Sequence, residues 1–362
     1  MNLKKTFKNK KIIITGHTGF KGSWLSLWLK ILGAKVIGLS INVPSNPSHF
    51  QTTQLQNKIV HKKIDIRNLK LLKKIFKKHQ PDYVFHLAAQ SLVKKSYSNP
   101  IYTWQTNTIG TLNVLEALRE LKKNCVAILI TSDKSYKNLE IKRGYKENDI
   151  LGGKDPYSGS KAGAELVIQS YISSFFQTDK TKVLIGIARA GNVIGGGDWS
   201  KDRLIPDCVK SWSKNKKVLI RSPKSTRPWQ HVLEAISGYL FFALNLKKNK
   251  KLHGEAFNFG PNNAKNYTVV SVVKLMKKNW EKISWELDKK NKKFFYESSL
   301  LKLNCNKAKN KLKWKSILSF AETIGMVSNW YKNYYLNPSA AYKISLSQIQ
   351  KYEKLLKKRL VK

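Results

Sequence analysis

The sequence predicts an α/β fold, a doubly wound parallel sheet followed by a smaller C-terminal α/β lobe. Three observations predict it. Short apolar runs alternate with longer amphipathic ones from Lys11 to about residue 190, the pattern of strands whose both faces are covered by helices. A glycine-rich turn separates the first strand from the first helix, which is the Rossmann arrangement. Beyond residue 190 the alternation loosens without a Gly-, Ser- or Pro-rich linker, so the two parts should share an interface and a cleft.

Taken in order, Lys11-Ile12-Ile13-Ile14-Thr15 reads as a short buried strand. Residues 16–22 form a turn, residues 23–32 a helix, and Gly33 ends that helix before a second strand at 35–39. Further strands are expected at 58–64, 83–87, 126–131 and 183–188, with helices at 69–78, 106–121 and 160–176 between them. This divides the chain into a cofactor domain (1–190), a substrate lobe (191–340) from which some strands and helices return to the first domain, and a C-terminal helix (341–362). Residues 345–360 place apolar side chains at helical spacing among lysines, which suits a helix packed on the body or at an oligomer contact better than one lying on a membrane.

Composition narrows the function. With 362 residues and 41% hydrophobic content the chain can bury an ample core. The apolar run from Tyr239 to Leu244 is too short to span a bilayer, and the basic start lacks the apolar core of a signal peptide, so no membrane partner is expected. Three cysteines (Cys125, Cys208, Cys305) without CxxC spacing fit a reducing, cytoplasmic setting and no metal site. The net charge of +46 by itself suggests nucleic acid. Its distribution argues otherwise: the basic residues are nearly all lysines, scattered along the chain, and Arg, the residue of base readout, is rare. Abundant Lys, Asn and Ile read as codon drift in an AT-rich genome. No nucleic-acid partner is expected, but the field should attract anionic substrates and make association salt-sensitive.

The turn Gly16-His17-Thr18-Gly19-Phe20-Lys21-Gly22 has GxxGxxG spacing. Such glycines let a diphosphate approach the backbone, and the following helix offers free N–H groups and its dipole. Gly16, Thr18, Gly19, Phe20 and Gly22 are therefore candidate cofactor contacts. The end of the second strand, Leu39-Ser40-Ile41-Asn42, carries neither the acid that binds an adenosine ribose nor an arginine for a 2′-phosphate. Ser40 or Asn42 would serve instead, and NAD is favoured over NADP. Asp65, with Ile66, would hold the adenine edge; alternatively Asp65 is a helix N-cap.

Tyr157-Ser158-Gly159-Ser160-Lys161 puts a phenol and an ammonium on one helical face. A phenol is a poor base at neutral pH, and a neighbouring cation should lower its pKa so that Tyr157 takes a proton from a sugar hydroxyl. Thr131-Ser132-Asp133-Lys134 follows a buried strand, and the carboxyl ends of parallel strands are where such sheets bind ligands. From spacing alone these four polar residues read as well as an ordinary loop.

The glycine turn, His86-Leu87-Ala88-Ala89-Gln90, Thr106-Asn107, Ser132 and the Tyr157/Lys161 pair fall in an order that resembles the extended short-chain dehydrogenase/reductases, the NAD-dependent epimerase/dehydratase family. Within it, longer strings resemble the nucleotide-sugar 4,6-dehydratases acting on CDP-glucose: GHTGFKGSW at 16–24, TSDKSY at 131–136, LGGKDPYS at 151–158, ARAGNVIGGGDW at 188–199 and RPWQHV at 227–232. The resemblance spans residues 8–335. It implies a lyase that oxidises the sugar at C4 with NAD, eliminates water across C5 and C6, and returns the electrons at C6, yielding CDP-4-dehydro-6-deoxyglucose for deoxysugar or O-antigen synthesis. By the same resemblance Tyr157 is the C4-hydroxyl base, and Lys161 tunes it and holds the nicotinamide ribose. Ser132 binds the reacting hydroxyl and Asp133 protonates the leaving C6 hydroxyl. Lys134 stands where dTDP-glucose relatives carry a Glu base, and acts either as the C5 base or as a cation stabilising the enolate. Leu87, Ala88, Ala89, Gln90 and Asn107 would border the cofactor, with Gln90 also touching substrate. Asn192, Arg203 and Arg227 would hold the sugar diphosphate; alternatively Arg203 forms a surface ion pair with Asp202 or Asp207. Ser135 departs from the family, where Cys is frequent. A homodimer or a dimer of dimers through the helices at 106–121 and 160–176 is implied. A basic binding protein without catalysis is the remaining alternative.

Overall fold

The computed structural model describes residues 2–141, 143–177, 181–201, 203–220, 223–261, 267–281, 283–287 and 301–360. Its centre is a seven-stranded, wholly parallel sheet. The strands are β1 (Lys11–Thr15), β2 (Lys35–Ser40), β3 (Val60–Lys63), β4 (Tyr83–His86), β5 (Cys125–Ile130), β6 (Val183–Ala190) and β7 (Ala256–Phe259). Their order is β7-β6-β5-β4-β1-β2-β3. The chain winds one way from β1 and then the other way from β4, which opens a crevice between the carboxyl ends of those two strands.

Both faces of the sheet are covered, as the unbroken apolar runs require. Ile12, Ile14, Tyr83, Phe85, Val126, Ile128 and Ile130 point into one core, and Ile13, Val84, Ala127 and Leu129 into the other. On the first face lie α1 (Phe20–Ile31), α4 (Val232–Lys248), α5 (Phe320–Leu336) and α6 (Ala341–Leu360); on the second lie α2 (Gly110–Arg119) and the distal part of α3 (Pro156–Tyr171). Helix α4 is buried along nearly its whole length, which explains the apolar run at 239–244. Among the described residues no helix is long and apolar enough to cross a membrane.

Two helices begin earlier than their apolar periodicity indicates. Gly19 is the N-cap of α1, so the glycine turn already contains the first helical turn. Asp155 caps α3: its side chain accepts from the Tyr157 and Ser158 N–H groups, and Ser158 Oγ accepts from the Asp155 N–H, completing a capping box. Pro156 occupies the first helical position, where its missing N–H costs nothing. Two π-helical turns, Gln105–Ile109 and Ile172–Phe176, stand where regular helix was expected. β7 comes from residues beyond 190 and pairs with β6, Asn258 facing Arg189.

Candidate active site

At the switch point the loops after β1 and β4 touch. The Gly16 N–H donates to the Leu39 carbonyl at 2.7 Å, and the Ala88 N–H donates to Thr15 Oγ1 at 3.3 Å. Gly16 has φ +76°, and a Cβ there would sit 2.7 Å from Ala88 N; a Cβ on Gly22 would sit 2.1 Å from the Gly16 carbonyl oxygen. Only glycine permits either approach. Thr18 staples the turn to the end of β2, donating through Oγ1 to the Asn42 carbonyl at 2.6 Å and through its N–H to Ser40 Oγ at 3.3 Å. Ser40 also lies 3.1 Å from His17 Nδ1, so the hydroxyl considered for a ribose is engaged in holding the turn. Gly19, Phe20, Leu87, Ala88 and Ala89 line the rim half-exposed.

The Tyr157 and Lys161 side chains are buried on α3, facing the 3-10 turn Asp133–Ser135 that follows β5. Ser132 hydrogen-bonds to the Tyr157 phenol and donates to Asp133 Oδ1 at 3.0 Å. Burial pushes the Asp133 carboxyl above the usual carboxylate range, against the opposing pull of Lys134, Ser132 and Lys21. Burial also pushes Tyr157 up to about 12, with Ser132 and Arg203 opposing. This differs from the expected lowering by Lys161. Burial of the phenol outweighs the neighbouring charges, and Lys161 is itself brought down to about 7, by burial first and then by the charge of Lys21.

Other expected positions are placed as follows. The Gln90 side chain is buried and satisfied by its own loop: Oε1 accepts from the Leu92 N–H at 2.6 Å, and Nε2 donates to the Leu92 carbonyl and to Thr103 Oγ1, each at 3.0 Å. Asn107 clamps the Gln90 backbone, accepting from its N–H at 2.7 Å and donating to its carbonyl at 3.1 Å, and reaches Ser160 Oγ on α3 at 2.9 Å. Both are tied to the structure of the loop after β4. Asp65 is not a helix cap: Asn68 caps the next helix, while Asp65 grips Arg67 at 2.6–3.2 Å because that guanidinium is its nearest cation. Ile66 is buried against Gly110. Arg203 pairs with Asp198 at 3.0 Å, and its charge reaches Tyr157. Asp202 lies outside the described residues. Asn192 is half-buried, its carbonyl accepting from the Gln230 N–H, and Arg227 donates to the Thr226 carbonyl at 2.8 Å on a short strand beside it. Among the described residues no cluster of His, Cys, Asp and Glu is arranged to hold a metal.

The family model for GDP-mannose 4,6 dehydratase matches residues 13–327. The chain belongs to the GDP-mannose 4,6 dehydratase family. Within the range of its relatives, CDP-glucose 4,6-dehydratase of Salmonella typhimurium is 44% identical over 333 residues, 91% of this chain and 92% of that protein. Among solved structures, an epimerase from Methanothermobacter thermautotrophicus superposes with a TM-score of 0.80 at 24% identity, covering 93% of this chain and 96% of that one. The dTDP-glucose 4,6-dehydratase of Streptomyces venezuelae, solved with NAD bound, gives 0.71 at 20% identity, covering 89% and 97%.

In this member of the GDP-mannose 4,6 dehydratase family three features of the site escaped the sequence reading. Lys21, in the first turn of α1, is brought down to about 8 by burial and by the charge of Arg203, with Asp133 opposing. Its position inside the glycine turn was the available signal. Glu165 and Arg189 form a buried ion pair behind the Ser132 loop, and Glu165 stands one turn after Lys161 on the same face. The third is an aromatic box around residues 195–199. Trp24 Nε1 donates to the Gly196 carbonyl at 2.9 Å, Tyr331 Oη donates to the Asp198 carbonyl at 2.6 Å, and Trp199 packs edge-on or tilted against Trp330, Tyr331 and Tyr334. Nothing near residue 198 in sequence announces partners on α5.

Proposed function

We propose that this chain catalyses the NAD-dependent dehydration of CDP-D-glucose to CDP-4-dehydro-6-deoxy-D-glucose. The observation that carries the reading is a buried Asp133 carboxyl that shares Ser132 with the Tyr157 phenol. Removing a proton and electrons at C4 needs only the phenol and a cofactor; expelling a C6 hydroxyl needs an acid as well, and an epimerisation at C4 does not. The substrate's base is taken from the 44% identical relative.

The glycine turn fits a dinucleotide diphosphate. Helix α1 is 12 residues long, has no side-chain cap and no acid in its first turn, and carries Lys21 there, so its N-terminal N–H groups suit an anion. Gly16, Thr18, Gly19, Phe20 and Gly22 would surround the diphosphate, Asp65 and Ile66 the adenine, and Leu87, Ala88, Ala89, Gln90, Asn107, Tyr157 and Lys161 the nicotinamide half. When bound, NAD supplies the two-electron acceptor and donor. Tyr157 takes the C4-hydroxyl proton, with Ser132 orienting that hydroxyl, and becomes a competent base as cationic charge from Arg203 and a protonated Lys161 is brought to bear. Asp133 delivers its proton to the departing C6 hydroxyl. Lys134 deals with the C5 proton or the enolate charge. Asn192, Arg203 and Arg227 hold the sugar diphosphate.

The test is a panel of CDP-, dTDP-, GDP- and UDP-hexoses with NAD, followed by product mass and by the 4-keto chromophore in alkali. Loss of water from CDP-glucose in preference to the others is expected; an isomer of unchanged mass would overturn the reading. Lys134→Ala should keep C4 oxidation yet slow elimination by about a hundredfold, the usual scale of an acid–base contribution, and normal turnover in that variant would remove Lys134 from the chemistry. We also place the enzyme in a reducing cytoplasm and infer a homodimer. Ile109, Leu166 and Phe175 are exposed on neighbouring helices, a face suited to a second copy; sedimentation as a monomer at micromolar concentration would exclude that.

A further inference from the structure

The loop that carries Ser132, Asp133 and Lys134 is held from behind by one carboxylate. Glu165 is fully buried on α3. Its Oε1 accepts from Thr131 Oγ1 at 2.6 Å and lies 2.9 Å from Ser135 Oγ, whose single proton is shared with the Ser132 carbonyl at 2.6 Å. Arg189 on β6 fixes the carboxylate in turn, with Nε at 2.8 and 2.9 Å from its two oxygens and Nη2 at 2.5 Å. Its remaining nitrogen, Nη1, donates to Tyr136 Oη at 2.7 Å and to the Glu147 carbonyl at 2.9 Å. Thr131 and Ser135 bracket the three reactive residues. Tyr157, Lys161 and Glu165 follow one another at intervals of four along α3, on one face.

Accordingly, and resting on the function proposed above, we propose that Glu165 is a positioning residue: through the hydroxyls of Thr131 and Ser135 it sets the spacing between the Ser132–Asp133–Lys134 set and the Tyr157–Lys161 pair. A buried ion pair adds little net stability over apolar packing, because desolvation offsets its attraction. What it adds is direction. A bidentate Arg holds the carboxylate plane, and that plane dictates where two hydroxyls, and hence both ends of the loop, must stand. Displacement of reacting groups by about 1 Å costs up to a hundredfold in rate, so a latch that touches no substrate still governs turnover. The Ser135 hydroxyl fits this role better than a thiol would, since a thiol is a weak donor.

The experiment spares Glu165 itself, whose loss would leave Arg189 buried and unpaired. Thr131→Val removes one hydroxyl at constant shape, Thr131→Ser keeps it, and Ser135→Ala removes the other. Each is assayed for turnover of CDP-glucose, alongside NADH fluorescence titration and thermal melting. Thr131→Val and Ser135→Ala should fold, bind NADH as wild type does and keep KM within about twofold, while kcat falls about tenfold in each; Thr131→Ser should recover most of it. Such drops correspond to about 1.4 kcal/mol per variant. Two results overturn the inference: a Thr131→Val/Ser135→Ala double variant with wild-type kcat, or Thr131→Ser impaired as badly as Thr131→Val, which would make the site one of packing alone. If wild type itself does not dehydrate CDP-glucose, the functional reading fails and takes this inference with it; an active wild type beside an unimpaired double variant sinks the inference alone.

Discussion

Residues 16–22 and residues 191–197 are both glycine-rich and both border the cleft, yet their glycines face different neighbours. In the first segment the space a Cβ would fill is occupied by backbone: Ala88 N at Gly16 and the Gly16 carbonyl oxygen at Gly22. In the second it is largely occupied by side chains: a Cβ would lie 2.7 Å from Val232 Cγ1 at Gly195, 2.0 Å from Trp330 Cγ at Gly196, and 2.7 Å from His49 Cβ at Gly197, whose φ is +81°. The first turn is thus shaped largely by its own chain and by the adjoining strand ends. The second is pressed into shape by rings on distant elements. A backbone obstacle cannot yield, whereas a side chain can be cut back by substitution, although the Cβ and Cγ atoms of Trp330 and His49 cannot simply tilt aside.

Substitution at Gly22 should therefore have the largest effect. Gly22→Ala places a methyl 2.1 Å from a carbonyl oxygen that has no freedom to move, because Gly16 is itself pinned against Leu39 and Ala88. NADH binding followed by fluorescence should weaken by more than about a hundredfold, roughly 3 kcal/mol. Unaltered binding would mean that this turn does not receive the diphosphate.

Gly196→Ala should be milder and reparable. Overpacking of this kind costs about 1–3 kcal/mol, and the loop it disturbs carries Asp198, the partner of Arg203. We expect kcat/KM to fall about tenfold, with about 1.4 kcal/mol per tenfold change, while NADH binding stays intact. Adding Trp330→Ala, which removes Cγ and Cδ2, the two atoms nearest the new methyl, should restore part of the loss. Failure of that second substitution to rescue would show that the ring is not the obstacle.

The contrast also explains what was legible in the sequence. β1, β2, the glycine turn and the Tyr157/Lys161 pair are local patterns: apolar runs, GxxGxxG spacing and an i, i+4 relation. Each could be read because its physical cause lies within a few residues. The early start of α3 was legible in principle, since Asp155, Pro156 and Ser158 form a cap and capping box, but the apolar periodicity that begins later overrode it. Arg203 was picked as a cleft cation, whereas its partner Asp198 is delivered by Tyr331 and Trp330, more than a hundred residues away. The Glu165–Arg189 pair joins a helix to a strand in the same way, and no spacing rule connects them.

Asp198→Asn separates position from charge in the second segment. The Arg203 side chain is 36% exposed, so the pair contributes less than about 1 kcal/mol to stability. Melting should hardly change. If Asp198 aims the guanidinium at the sugar diphosphate, KM for CDP-glucose should rise about threefold to tenfold with kcat little altered, the mark of lost uniform binding. A fall in kcat at constant KM would instead assign Arg203 to the transition state, consistent with its charge reaching Tyr157.

The smallest effect concerns how the ring-bearing helices are held. Glu234 on α4 accepts from the Ile317 and Leu318 N–H groups at 2.9 and 2.6 Å and from Tyr352 Oη at 2.9 Å, tying the turn before α5 to α6. Burial raises its carboxyl from an ordinary 4.5 to about 7. Between those values the folded protein keeps a proton that the unfolded chain has released, so this group makes stability fall as pH rises through that window and contributes no further slope above about 7. Glu234→Gln retains an acceptor without the buried charge. Melting of the variant should match wild type near pH 5 and exceed it at pH 8, with NADH binding equal in both. A variant less stable than wild type at pH 8 would mean that the ionised carboxylate is favourable here, and that the anchor of the second glycine segment is electrostatic and not merely a set of hydrogen bonds to a neutral acid.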